Sequence, residues 1–513
     1  MTGDRAASGA MTGDRAAHGA MTGEPLRLAS VEGQPAGPHL DTPVAPAVVR
    51  PAAGGVVQGN LALDPARAQT PAQGAPDDAL HEPQIARMPP GPVRLADLGL
   101  GTDFLIELVL KAMHRLSVNR VSSLSRVLTL PPRLVAQLLE SARDQRLISP
   151  LPQEPGERGA DLRWGLSDGG RAAAIAAFET SGYVGPVPVP IAQFAQQAAT
   201  QTVRSEVLGK AALAEALRHM TLSDTLLQRL GPAANAGAAV LLYGPPGNGK
   251  TAITEALGRA FRHHVWIPHA LEIEGAVITL YDPGVHRLLA TRDVEALTGR
   301  AGGLRAGAVA DARYVPCRRP HLVAGGELTV AMLDLAYAPA SRMYEAPLQL
   351  KAIGGTLVID DFGRQHAHPQ EILNRMTVPL ESGLDYLALQ TGRKFATPFD
   401  SLVLFATNMA PVRLADEAAL RRLRFKVKVE GPSRPAFLQI FAQCARRSGL
   451  PLDAEVLHYI LSELYEREGK ALQAFHPGFF CDQAHAICAY EGIAPQLTPQ
   501  IARQVWENLF PES

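Results

Sequence analysis

Cysteine is scarce: four in 513 residues, at Cys317, Cys444, Cys481 and Cys488. None stands in a C-x-x-C pair, which excludes a zinc framework and a disulfide scaffold. Cys481 and Cys488 are spaced two helical turns apart and read as buried free thiols. Long apolar runs are missing too. No stretch approaches the length of a membrane helix, and the N-terminus lacks the apolar core of a secretory leader. A cytoplasmic protein without membrane insertion is expected. Excess charge of one sign is also lacking. Lys and Arg total 49 against 50 Asp and Glu, a net charge of −1. No global field therefore draws the chain to nucleic acid or to a membrane surface. What remains is an Ala- and Gly-rich chain, 46% hydrophobic and 19% charged, long enough for about two to four domains.

The most telling stretch is Gly244-Pro245-Pro246-Gly247-Asn248-Gly249-Lys250-Thr251, which reads G-x-x-x-x-G-K-T. It follows the apolar run Ala239–Tyr243 and precedes a helical segment from Thr251 and Ala252 towards Phe261. That is the strand–loop–helix setting in which backbone N–H groups converge on phosphate oxygens. Lys250 is expected to reach the β- and γ-phosphates, and the Thr251 hydroxyl to bind Mg²⁺. ATP and Mg²⁺ are the cofactors this pattern calls for.

Before this loop the chain divides in three. Residues 1–93 form a Pro-, Ala- and Gly-rich tail, expected to be disordered, in which a decapeptide opening Met-Thr-Gly-Asp recurs at Met11 and decays at Met21. Residues 94–183 read as three helices, a strand at Leu162–Leu166 and a closing helix after Leu166-Ser-Asp-Gly-Gly-Arg171. This order resembles a winged-helix α+β domain. Its third helix would read DNA, offering Arg133, Arg143 and Arg146, but Glu140 and Asp144 sit among them. That thin basic footprint favours a protein-docking or structural role over DNA binding. Residues 184–236 read as a linker followed by helices, with Gly182–Pro190 a stiff Pro-rich connector.

After the loop come three more signals. Gly354-Gly-Thr-Leu-Val-Ile-Asp360-Asp361 is a short apolar strand ending in two acids, at the edge where open α/β sheets bind ligands. Asp360 is the candidate to hold Mg²⁺ and Asp361 to polarise the attacking water. Leu402–Ala406 reads as a strand ending in Thr407-Asn408, whose amide would help place water. Arg421 and Arg422 precede a strand at Phe425–Val429, where an arginine can reach a neighbouring subunit's γ-phosphate. From Ser433 onward the pattern is helical.

Taken in order, these four motifs resemble those of AAA+ ATPases, over about residues 190–513. The Gly-Gly before the second strand is similar to the MoxR-like and enhancer-activating branch, and the whole resembles bacterial predicted ATPases with chaperone activity. The resemblance implies an α/β fold: a five-stranded parallel sheet over residues 237–430 with a helical lid over 431–513. It implies assembly into a ring of identical subunits, sensor 1 at Asn408, and an arginine finger at Arg422. With Lys250 and Asp361 these are the expected catalytic residues.

Two departures from the family pattern stand out. Asp361 occupies a position that is usually Glu, one methylene longer, and Gly478 stands where a sensor-2 arginine is expected, with His476 as a weak substitute. The roughly 110 residues between Lys250 and Asp360 exceed a compact core, so Leu271–Asp282 and Gly325–Leu350, with Tyr337, Tyr344 and Glu345, read as insertions. Three functions follow: an oligomeric ATPase remodelling protein clients, an ATP-controlled DNA-binding regulator, or a slow or non-hydrolysing nucleotide switch. No N-K-x-D motif follows Asp361, so guanine is not the expected base.

Overall fold

The structure is a computed structural model and describes residues 87–152, 161–237, 239–290, 292–294 and 310–511. The decapeptide repeat and nearly all of the predicted tail lie outside the described residues. Every second residue of a strand points to the same face, so a strand buried on both faces needs an unbroken apolar run. Val240–Tyr243, Leu402–Thr407 and Thr356–Ile359 have such runs, and they form the middle of a five-stranded sheet. Phe425–Lys428 flanks them on one side and His321–Ala324 on the other, with every neighbouring pair parallel. Leu241, Leu357, Ile359, Val403 and Phe405 fill one core. Val240, Leu242, Val358, Leu402 and Leu404 fill the core on the opposite face. This is an α/β architecture built on a five-stranded parallel sheet, as expected.

The lid is helical. Helices Arg434–Ser448, His476–Glu491 and Pro499–Leu509 enclose Phe437, Phe441, Phe480 and Trp506. Asp453 caps Ala454–Tyr459 as its position before an apolar stripe suggests, and that helix continues as a π-helical stretch Ile460–Glu466. Cys481 and Cys488 are buried and unpaired in this core.

The N-terminal part holds helices Thr102–Leu116, Val121–Leu128, Pro132–Asp144 and Asp168–Thr180, with a short antiparallel pair Ile148–Pro150 and Trp164–Leu166. On its third helix Arg143 pairs with both Glu140 and Asp144.

A second five-stranded sheet contains the expected strands around Glu274 and Gly275, seen as Ala270–Ile273 and Ala276–Thr279. It also contains Ala336–Ala338 and Met343–Glu345, and Val189–Pro190 pairs along its edge. The stretch read as a stiff connector is partly a strand, and Tyr183, Val187 and Val189 are buried in a core shared by the N-terminal helices and this inserted sheet. Alternate small apolar residues between prolines fit a sheet edge, where a missing N–H goes unnoticed. Tyr344 is buried against Tyr337, with ring centroids 5.0 Å apart, and its hydroxyl accepts from the Gln390 N–H. These aromatics pack; they do not project. Among the described residues no helix is long and apolar enough to cross a membrane.

Candidate nucleotide site

The loop Gly244–Gly249 connects the strand Val240–Tyr243 to the helix Lys250–Ala260. Two glycines are demanded by their surroundings. A Cβ on Gly244, at φ 143°, would lie 2.2 Å from the Val429 carbonyl oxygen. One on Gly247, at φ 73°, would lie 2.1 Å from the Phe475 ring. The loop is thus wedged between the edge strand and the lid. Pro245, Pro246 and Gly247 are exposed on it, and Asn248 and Lys250 are buried.

The Lys250 ammonium donates to the carbonyls of Gly244 (3.1 Å) and Pro245 (2.8 Å). Burial lowers its pKa, opposed by the charges of Asp361 and Asp360. The Thr251 hydroxyl donates to Asp360 Oδ2 at 2.7 Å, and the other carboxylate oxygen accepts the Asp361 N–H at 2.9 Å. Asn408 Nδ2 donates to Asp361 Oδ1 at 3.2 Å. The three motifs, scattered over more than 150 residues of sequence, therefore meet at one edge of the sheet.

Asp361 adopts φ 47°, a left-handed conformation unusual for a residue with a side chain. The surrounding turn is pinned on all sides. The Phe362 N–H donates to Ala406, the Thr407 hydroxyl to Phe362, and Gln365 Nε2 to the Asp360 carbonyl at 2.7 Å. Gln365 was not among the expected site residues; nothing in its local sequence distinguishes it from a solvent-facing loop glutamine.

Arg422 stands apart from this cluster. It ends the helix Glu417–Arg422 beside the edge strand Phe425–Lys428. Its Nε donates to Glu381 at 2.9 Å and its Nη1 to the Ala418 carbonyl at 2.8 Å.

The lid reaches the loop differently from the sensor-2 expectation. A Cβ on Gly478 would meet only Cys444 Sγ, at 4.0 Å, so this position faces another lid helix. His476 is buried, its Nδ1 lies 2.7 Å from the Tyr465 hydroxyl, and burial pushes its pKa down to about 4. It is a neutral core residue and no substitute for a phosphate-sensing arginine. Phe475, one residue earlier, is the side chain that meets the loop.

The donor set suits a magnesium nucleotide. Thr251 and Asp360 offer adjacent hard oxygens of the kind Mg²⁺ prefers. The Lys250 ammonium, held only by two loop carbonyls, is a ready partner for phosphate oxygens.

A family model described as a domain of unknown function (DUF8689) matches residues 433–508, the lid alone. No curated protein matches. Among solved structures, NtrX from Brucella abortus is similar at 13% identity, covering 55% of each chain with a TM-score of 0.32. The same protein in complex with ATP matches 67% of this chain and 65% of its own, at 13% identity and a TM-score of 0.33. The AAA domain of FIGL-1 in complex with ADP is 16% identical over 54% of this chain and 74% of its own, with a TM-score of 0.27. This chain thus spans little more than half the length of the first of these. Likeness at that level carries no weight by itself; the fold rests on this chain's own strand order and phosphate-loop geometry.

Proposed function

We propose that this protein is an oligomeric ATPase that binds Mg-ATP, hydrolyses it to ADP and phosphate, and uses the cycle to remodel protein clients. One observation supports the reading above all: Thr251, Asp360, Asp361 and Asn408 converge beside the lysine-bearing loop through bonds of 2.7–3.2 Å.

In this reading the backbone of Gly244–Gly249, the Lys250 ammonium and the helix N-terminus at Thr251 and Ala252 take the phosphates. Thr251 and Asp360 hold the magnesium ion, which supplies charge neutralisation at the phosphates when bound. Asp361 accepts a proton from, or orients, the attacking water, and Asn408 fixes the Asp361 carboxylate for that task. The left-handed backbone at Asp361 compensates for its short side chain by re-aiming it, and Gln365 holds the turn in that shape. Arg422 acts on the nucleotide of an adjoining subunit, once released from Glu381.

The N-terminal helical part serves as a docking module for partner or client. Its Arg143 is already neutralised by two acids, which favours protein over nucleic acid. Isothermal titration with Mg-ATP and a phosphate-release assay test the reading directly. Wild type should bind and turn over, and Lys250→Ala should lose both. Binding without any phosphate release at high protein concentration would identify a nucleotide switch instead. No binding at all would overturn the proposal.

A further inference from the structure

The P-loop has two sides. Its N–H groups suit the phosphate side, and the Gly247 carbonyl and the Asn248 side chain are turned to the other. The lid segment Leu472–Phe475 lies against that second side. The Phe475 N–H donates to the Gly247 carbonyl at 3.0 Å, and the Ala474 N–H donates to Asn248 Oδ1 at 3.0 Å. The Phe475 ring covers Gly247 so closely that no side chain fits there. Asn248 is 4% exposed, and its Nδ2 finds no partner among the described residues. A buried amide with one satisfied and one unsatisfied end is held by the acceptor bond alone.

Immediately after this contact the chain enters the helix His476–Glu491, anchored by the buried Tyr465–His476 bond in the lid core. Displacement of Gly247 or Asn248 is therefore passed to the lid through one backbone–backbone bond and one bond from a backbone N–H to the short Asn248 side chain. The position expected to hold a sensor-2 arginine faces Cys444 and cannot do this.

We infer that Asn248 and Gly247 form a clasp with Ala474 and Phe475 that couples the nucleotide state of the loop to the lid, in place of an arginine acting on the γ-phosphate. Asn248 is a positioning residue in this device. The inference rests on the proposed nucleotide reading of the loop.

Backbone hydrogen–deuterium exchange of the full chain, with calorimetry on the same sample, tests it. In wild type, exchange across residues 472–476 should change when Mg-ATP is added and change by a different amount with Mg-ADP. Without nucleotide, Asn248→Ala should speed exchange there by up to roughly tenfold, about one hydrogen bond's worth. Peptides within 479–491 should keep wild-type protection. Asn248→Asp retains the acceptor oxygen and should restore protection in the nucleotide-free protein, which loss of loop folding would not. If calorimetry shows binding but exchange at 472–476 does not respond, or if Asn248→Ala exchanges like wild type, the clasp is overturned while the nucleotide reading stands. If calorimetry shows no binding, both fall.

Discussion

Asp361 shows how much a single side chain can be asked to do. It has the left-handed backbone that most residues avoid, one carboxylate oxygen bonded to Asn408, and an N–H bonded to its neighbour Asp360. If it activates water, Asp361→Asn should lower kcat by about a hundredfold or more, with KM changing far less. Steady-state phosphate release would show this. His476 carries a different consequence. Its pKa of about 4 lies below the roughly 6.5 of an exposed imidazole, and His269 is depressed to about 4 as well, in both cases by burial. The unfolded chain therefore takes up protons first as pH falls. Stability from these two groups is complete above about pH 6.5 and drains away towards pH 4. Melting temperature measured across that window should fall steadily, and His476→Gln should shrink the fall.

At the scale of elements, the helix Glu417–Arg422 is tied to the helix Pro369–Ser382 by the Arg422–Glu381 pair. The pair is partly exposed, so it is a weak tether of the kind that contributes under about 1 kcal/mol. Releasing it with Glu381→Gln should raise ATPase activity at low protein concentration by up to about fivefold if Arg422 works on a neighbour. Unchanged activity would argue that Arg422 already sits free when subunits meet.

The strands Val240–Tyr243, Thr356–Ile359 and Leu402–Thr407 were readable in advance because their apolar runs suit the centre of a parallel sheet. The phosphate loop was readable because the G-x-x-x-x-G-K-T pattern of Gly244–Thr251 follows an apolar run, and its first glycine sits where no Cβ fits. The lid's approach to the loop was not legible. It depends on two backbone N–H groups, at Ala474 and Phe475, and every residue carries one. Gln365 was invisible for a related reason, because its role is set by where the Asp360 turn places it. Val189–Pro190 was misread since proline suggests a linker, and only the neighbouring strand Ala270–Ile273 turns it into an edge.

For the whole molecule, the proposed reading has a second subunit complete the site at its Arg422 end. Activity per protomer should therefore rise with protein concentration, as a dilution series of phosphate release would report. Arg422→Ala and Lys250→Ala should each be inactive alone, and mixing them should recover part of the activity if one subunit's arginine serves another's intact loop. A flat dilution series would remove the shared site and leave a monomeric enzyme.

The apolar core common to the N-terminal helices and the inserted sheet has a mechanical corollary. Through Val189, Phe194, Leu271 and Ile278 the front of the chain is welded to the insertion and not suspended from a tether. A displacement imposed on the front helices is thereby geared to the insertion, so a tug on one arrives at the other without slack.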